Sequence, residues 1–366
     1  MLLLPNEVTE MSDLKSIRKF LPQDTEVIEY YIAEGVSDQV FRLVFDRSSI
    51  VISVLPITAA QLSSGVQALL HEVCEPEEFR EVNFKSHAAA MAKSLLPPSW
   101  LASFESIRIK HLFVVPTGAL YMFPFTLLVD NRGHYLAENS KLDLAYLPNA
   151  AALKRPAPRL VEASRSRGFV NPALDEDHHE ALSAAQSERT RLSDAFRRWS
   201  GGELSWEFPL TGGQFLALAK TTDNVFLYSH GRYLPNDPTG SYIRFADENG
   251  ENSYVSVADL LGVRTGHGLW VIAACSSGAG KLRSGDEVLG LPRALLEAGA
   301  SMVVISLWDV DATSSLDLMA RFYKQLANGV RVAEALRSAS SELRQTGRPP
   351  YDWAPFILIG QHGFSE

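Results

Sequence analysis

The sequence has little cysteine: its 366 residues include only Cys74 and Cys275. Two cysteines cannot build the disulfide framework of a small secreted domain, so a reducing compartment is expected. The chain also lacks any apolar run of the roughly 18–20 residues that a membrane-spanning helix needs. Its first residues carry no basic region or cleavage site of a signal peptide. These absences predict a cytoplasmic protein with no membrane partner.

Positive charge is also scarce relative to negative charge. Lysine and arginine total 34 against 43 aspartates and glutamates, which gives a formal net charge of −9. Such a balance disfavours nucleic acid as a direct partner. No internal repeat is visible, and the hydrophobic content of 46% is ample for a folded core.

Two halves differ in the pattern of their predicted elements. The first half opens with strand-like runs at 26–33, 40–46 and 49–56, which indicate an antiparallel meander. A basic, proline-containing stretch at 155–166 is the best boundary, so we predict halves at 1–155 and 156–366. In the second half strands alternate with helices. This alternation predicts an α/β fold with a mixed, mostly parallel sheet covered by helices on both faces.

Reactive side chains follow three apolar strands of the second half. His230 follows "VFLYS", Cys275 follows "WVIAA", and Asp309 and Asp311 follow "VVISLW". Ligands of open α/β sheets bind beyond the carboxyl ends of the strands. If these strands are parallel, the four side chains lie along one edge of the sheet.

A cysteine beside a histidine predicts nucleophilic chemistry. The imidazole takes the thiol proton, the thiolate attacks a carbonyl, and the imidazolium protonates the leaving amine. Backbone N–H groups of Gly231 and Cys275 are candidate oxyanion donors. A structural role for a lone cysteine or histidine is the plain alternative. A metal site is disfavoured because local Cys-x-x-Cys ligand pairs are absent, and no cofactor is expected.

The motifs of the second half resemble the CHAT domain of the caspase-like and separase-related cysteine peptidases. The resemblance is carried by "FLYSHGRY", by "VIAACSSGAG", by the stretch from Gly285 to Gly329 and by "WAPFILIG". It extends over about residues 25–360, because "LFVVPTGALYMFPFTLLVD" looks like the first half of the same domain. His230 and Cys275 are 45 residues apart (275 minus 230), near the spacing of caspases.

The resemblance implies a caspase-like fold whose second half is a cysteine endopeptidase with a His230–Cys275 dyad. The first half has no histidine–cysteine pair at comparable strand ends, so we expect it to be catalytically silent. It implies a protein substrate cleaved after a basic residue. The candidate substrate-binding residues are Asp286, Trp308, Asp309 and Asp311. CHAT domains are often fused to helical repeats, which are not evident here, so the expected activator is a separate protein.

Two other functions stay open. One is a catalytically silent CHAT-type interaction module. The other is a cysteine-dependent acyl hydrolase that acts on small molecules.

The loop 275–286 contains two basic residues, Lys281 and Arg283. This loop is either self-cleaved at these residues or is simply a solvated basic loop.

Overall fold

A computed structural model describes residues 11–33, 38–154, 165–170, 184–206, 210–232, 234, 237–246, 252–276, 290–309 and 311–361. These residues form two compact units. The first unit holds the described residues up to Lys154, and the second holds those from Arg165 to Gln361. The predicted boundary between residues 155 and 156 lies outside the described residues and stays a prediction.

The first unit is built on a five-stranded sheet. Its strands are β1 (Thr25–Ile32), β2 (Gln39–Phe45), β3 (Ile50–Thr58), β4 (His111–Val115) and β5 (Asp143–Tyr146). They lie in the order β5-β4-β1-β2-β3. β1, β2 and β3 pair antiparallel, as the predicted meander requires, whereas β4 runs parallel to both β1 and β5.

One strand prediction in this unit is wrong. The apolar pattern of residues 107–130, interrupted at Pro116–Gly118, predicts two strands, but only β4 forms. The second piece makes short 3-10 turns at Gly118–Met122 and Phe125–Leu127. Pro124 precedes the second turn and has no N–H to donate to a sheet ladder. Phe123 and Phe125 are instead fully buried among aromatic rings.

Helices pack against this sheet. The unit contains α1 (Met11–Phe20), α2 (Ala59–Cys74) and α3 (Glu81–Leu95). α2 begins at a capping box in which Thr58 and Gln61 bond each other's backbone. The end of α3 is tied to the sheet, because Tyr30 Oη and Arg42 Nη1 both donate to the Leu95 carbonyl, at 3.0 and 2.9 Å.

The second unit has a larger sheet. Its strands are β6 (Ser166–Val170), β7 (Leu204–Ser205), β8 (Asn224–Arg232), β9 (Tyr242–Ala246), β10 (Asn252–Ser256), β11 (Leu269–Ser276), β12 (Met302–Ser306) and β13 (Phe356–Gly360). The main order is β10-β9-β8-β11-β12-β13, with β6 also paired to β8 and β7 to β6. β6, β8, β11 and β12 are parallel, while β9, β10 and β13 run antiparallel to their neighbours. The predicted mixed sheet with a parallel centre is confirmed.

Helices of the second unit pack on both faces of its sheet. They are α4 (Gln186–Ser200), α5 (Gly212–Ala219), α6 (Val257–Leu261), α7 (Gly290–Ala298), α8 (Ala312–Ala327), α9 (Val332–Gln345) and α10 (Pro350–Trp353). Tyr323 of α8 packs against Phe226, with ring centroids 5.7 Å apart. Phe215 of α5 packs against Trp270, at 6.0 Å. The strand register pairs Trp270 with Val225, so Phe226 and Trp270 lie on opposite faces.

Candidate active site

The two residues of the predicted dyad occupy paired positions on neighbouring strands. β8 and β11 run parallel, and their register places Cys275 directly beside His230 and Ser276 beside Gly231. Adjacent strands lie roughly 4.8 Å apart. Both residues sit in the last stretch of their strands, because β8 extends to Arg232 and β11 to Ser276. The convergence expected at the carboxyl edge of the sheet is therefore present in the backbone.

The pairing of β11 with its other neighbour stops short of the cysteine. The last register pair between β11 and β12 joins Ile272 to Ile305. Cys275 lies three residues further along β11, beyond the end of this pairing. Continuing the register by three residues brings Trp308 level with Cys275. Cys275 thus lies at the carboxyl edge of the sheet, beyond the last residue of β12.

These positions share the face that α8 covers, which we call the α8 face. His230 is an even number of residues from Phe226, and Phe226 is the residue that Tyr323 of α8 contacts. α8 begins at Ala312, six residues after the last residue of β12. Tyr323, near its other end, packs over the early part of β8. The N-terminus of α8 therefore lies toward the carboxyl edge that carries His230.

The predicted substrate-binding residues differ in their surroundings. Trp308 is buried, and its Nε1 donates to the Tyr351 carbonyl at 3.0 Å. Asp309 is half-buried. Asp311 is exposed and is the N-cap of α8, with its Oδ2 accepting from the Ser314 N–H at 3.0 Å. Asp286 lies outside the described residues, as do Lys281 and Arg283.

Asp352 and its neighbours Arg348 and Ser314 also lie near the end of β12, and sequence reasoning missed them. Asp352 is 5% exposed and lies in the short helix α10. Its carboxylate is 3.6 Å from Nη1 of Arg348, and the same nitrogen donates to the Ser314 hydroxyl at 3.5 Å. Burial raises the pKa of Asp352, Ser314 and Arg348 counteract that rise, and the neighbouring Asp311 carboxylate adds to it. No local sequence pattern pointed to Asp352: it reaches this edge because β13 runs antiparallel to β12, which brings the residues before β13 beside those that follow β12.

Three further predictions concern the second cysteine, a metal site and membrane-spanning helices. The place of Cys74 inside a helical sequence pattern predicts a core residue, but Cys74 is half-buried at the last position of α2, where the helix meets the acidic turn that follows. In the described part of the chain, no group of three or more histidine, cysteine, aspartate or glutamate side chains is arranged to hold a metal ion. None of the helices within the described ranges is long and apolar enough to cross a bilayer.

Similar proteins share this architecture. The chain resembles the Saccharomyces cerevisiae separase in two crystal structures of its complex with securin, with TM-scores of 0.63 and 0.59 and identities of 12% and 11%. Each alignment covers 96% of this chain and 31% of the separase chain. At identities this low, the structural likeness shows a shared fold only.

Curated relatives match a shorter part of the chain. Tetratricopeptide repeat protein 28 is 32% identical in Mus musculus and 33% identical in Homo sapiens, in each case over 108 residues. That is 29% of this chain but only 4% of each relative, so the chain spans a small part of their length.

A family-level match covers most of the sequence. The CHAT domain matches residues 85–361. The match begins in α3, later than the start near residue 25 that the motifs suggested, and it includes the whole of the described second unit. The chain therefore belongs to the CHAT domain family.

Proposed function

We propose that this protein is a cysteine endopeptidase in which Cys275 is the nucleophile and His230 the general base. The observation that carries the proposal is the register of β8 and β11, which pairs these two positions at the carboxyl edge of a parallel sheet. Dyad chemistry requires that the two residues occupy the same face of the sheet, as register positions on parallel strands do. The shared fold with separase supports the same reading.

The reaction proceeds in two halves. The His230 imidazole takes the Cys275 proton, and the thiolate adds to the scissile carbonyl carbon to form a tetrahedral oxyanion. Collapse expels the amine, which takes the proton from the imidazolium, and leaves a thioester. Water, deprotonated by His230, then hydrolyses the thioester and restores the thiol. Backbone N–H groups of Gly231 and Cys275 are the proposed oxyanion donors, and Gly231 has no side chain to obstruct the carbonyl.

The position of α8 favours the charged forms that this chemistry needs. Its 16 residues begin close to the strand edge, on the α8 face. The positive end of a helix dipole stabilises nearby anions by about 0.3–1 kcal/mol at exposed sites. A thiolate or an oxyanion at the tip of β11 would gain from this field.

We further propose that the site prefers arginine or lysine before the scissile bond. Asp309 and Asp311 come just after β12, the strand next to the one that carries Cys275, and Asp286 is the third candidate acid. A carboxylate binds guanidinium through paired, charge-assisted hydrogen bonds that a neutral side chain cannot make. Asp311 uses one oxygen as a helix cap, and its exposed side chain leaves the other oxygen accessible.

We expect activity to depend on a separate protein partner. An unrestrained peptidase would damage its surroundings, so the competent state should be scarce until a partner binds. The separase structures that share this fold are complexes with securin, so a protein that contains this fold has a protein partner. Strong turnover by the purified chain alone would contradict this part of the proposal.

A positional peptide library tests the function. The purified chain, alone and in an extract of cells that express it, is incubated with peptides that vary at the residue before the scissile bond. Cleavage after arginine or lysine, absent in Cys275→Ala, is the expected result. Cleavage after aspartate, or equal cleavage by folded Cys275→Ala, would refute the proposal.

The competing function is a catalytically silent interaction module. It is favoured by the named relatives, because tetratricopeptide repeats form extended binding surfaces. This function predicts that wild type and Cys275→Ala bind the same partners and that neither cleaves them. Recovery of a cut partner with wild type alone distinguishes the two functions.

A further inference from the structure

The residues that follow β12 are held by the segment that precedes β13. We call Leu307, Trp308, Asp309 and Asp311 the post-β12 residues. The Leu307 N–H donates to the Pro355 carbonyl at 2.9 Å, and Trp308 Nε1 donates to the Tyr351 carbonyl at 3.0 Å. The position of the post-β12 residues therefore depends on how residues 351–355 are fixed.

Ser314 joins this segment to the helix cap. Its backbone N–H donates to Asp311 Oδ2 at 3.0 Å, and its hydroxyl accepts from Arg348 Nη1 at 3.5 Å. The same Arg348 nitrogen lies 3.6 Å from the Asp352 carboxylate, so Arg348 links Ser314 to Asp352. Ser314 is fully buried. A shift of Asp352 would thus move a residue that bonds Asp311 directly.

Placing a carboxylate at this point is costly. Asp352 is almost fully buried, and its neighbours include a second carboxylate, that of Asp311. A buried charge costs several kcal/mol unless it is paired and hydrogen-bonded. Arg348, half-exposed, supplies the compensating cation at 3.6 Å. A hydrophobic side chain would fill the same space without this cost, so packing alone does not account for an aspartate.

From these contacts we infer that Asp352, held by Arg348, is a positioning residue that fixes the post-β12 residues through Ser314 and the 351–355 backbone. Asp352 does not itself bind substrate in this scheme. It keeps Trp308 and the Asp311 carboxylate in the geometry that binds a cationic substrate side chain. The structural part stands on the contacts alone, whereas its effect on catalysis rests on the proposed function.

The chain offers a matched control on α8, the helix that Asp311 caps. Asp317, in α8, is contacted by Arg191 at 2.8 Å and by Arg321 at 3.1 Å. Like Asp352, it is a mostly buried acid that is paired with arginine. Its partners lie in α4 and α8, and neither touches the post-β12 residues. Asp317→Asn therefore removes a comparable charge without releasing the segment.

The test combines amide exchange with peptidase kinetics for Asp352→Asn, Asp317→Asn and wild type. We expect the Leu307 and Ser314 amides to exchange roughly five- to thirtyfold faster in Asp352→Asn, as for a loss of one or two kcal/mol of local stability. Asp317→Asn should leave both amides unchanged. With an arginine peptide, Asp352→Asn should raise KM roughly tenfold and change kcat little, because a misplaced site binds weakly.

Each result decides a separate claim. Unchanged exchange at Leu307 and Ser314 in a folded Asp352→Asn would overturn the positioning role. If that variant does not fold, Arg348→Met and Arg348→Lys replace it, since Arg348 is half-exposed: faster exchange is expected in the first and near-normal exchange in the second. If wild type cleaves no peptide, the proposed function fails, and the exchange data still decide the inference.

Discussion

At the residue scale, an acidic side chain in the first unit couples stability to pH. Glu26 in β1 has one carboxylate oxygen buried without a hydrogen-bond partner among the described residues. Burial raises its pKa from 4.5 to about 7; the Asp46 charge adds to the rise and Arg42 opposes it. The folded state therefore holds the proton more tightly than the unfolded state. Stability contributed by protonated Glu26 is present below pH 4.5 and is lost as pH rises toward 7.

Glu26→Gln should remove this dependence. The pKa rises by about 2.5, from 4.5 to about 7, and each pKa unit corresponds to about 1.4 kcal/mol, so we expect the variant to be more stable than wild type by about 3 kcal/mol at pH 8 and no more stable at pH 4.5. Urea unfolding at the two pH values measures the difference. Glu77→Gln, at an exposed position, is the control. An equal gain at both pH values would show that Glu26 does not titrate in this range.

Asp311 has two roles at the residue scale that can be separated. It caps α8 through Ser314, and we propose that it also binds the substrate cation. Asparagine caps a helix as well as aspartate does but carries no charge. Asp311→Asn should therefore keep the melting temperature, whereas Asp311→Ala should lose about 1 kcal/mol of stability.

The peptidase assay then separates the helix-capping role of Asp311 from its proposed role in binding the substrate cation. Both Asp311 variants should lose most of the preference for arginine over alanine peptides, roughly tenfold or more, because the charge-assisted bond is gone. If Asp311→Asn retained the full preference, Asp311 would be only a helix cap.

At the element scale, β3 forms an apolar edge of the first sheet. It pairs only with β2 among the described residues, and its nine residues carry no charge. Ile52 is 63% exposed and Val54 is 55% exposed. Exposed β-branched residues suit a strand without adding to the core.

We expect Ile52→Thr to change the free energy of unfolding by less than about 0.5 kcal/mol, as at other exposed sites. Ile28→Thr is the matched change at a fully buried position of β1 and should cost about 2–4 kcal/mol. Chemical unfolding of the two variants measures both values. A large loss with Ile52→Thr would mean that this edge is covered in solution.

The limits of sequence reasoning also appear at the element scale. Alternating apolar residues predicted β1 to β3, and long apolar runs predicted β8, β11 and β12, because burial leaves a direct pattern in such strands. β10 was missed, since its five residues run straight into the capping box of α6 at Ser256. The apolar residues around Phe123 were wrongly predicted to form a strand, because a buried 3-10 turn is as apolar as a strand.

For the candidate site, sequence order predicted which residues follow each strand but not the register between strands. The pairing of His230 with Cys275 depends on backbone hydrogen bonds across a crossover of some 40 residues, which no local pattern encodes. Asp352 was missed for the same reason, because it reaches the site only through an antiparallel final strand.

At the scale of the whole molecule, the dyad should act as a unit. Cys275→Ala and His230→Ala should each abolish peptidase activity, and the double variant should be no worse than either single variant. Thermal unfolding must be near that of wild type in all three. A clearly additive loss would mean that the two residues do not share one step.

The most direct test of the dyad does not depend on substrate or activator: the rate at which iodoacetamide alkylates Cys275 is measured by mass spectrometry across pH 5–9. Cys74→Ser serves as background, leaving Cys275 as the single cysteine. A thiol paired with imidazole reacts as thiolate well below pH 8, whereas an ordinary thiol, with a pKa of about 8.5, is largely protonated there. We predict rapid alkylation at pH 6 that is lost in His230→Ala. The same pH profile with and without His230 would contradict a His230–Cys275 dyad.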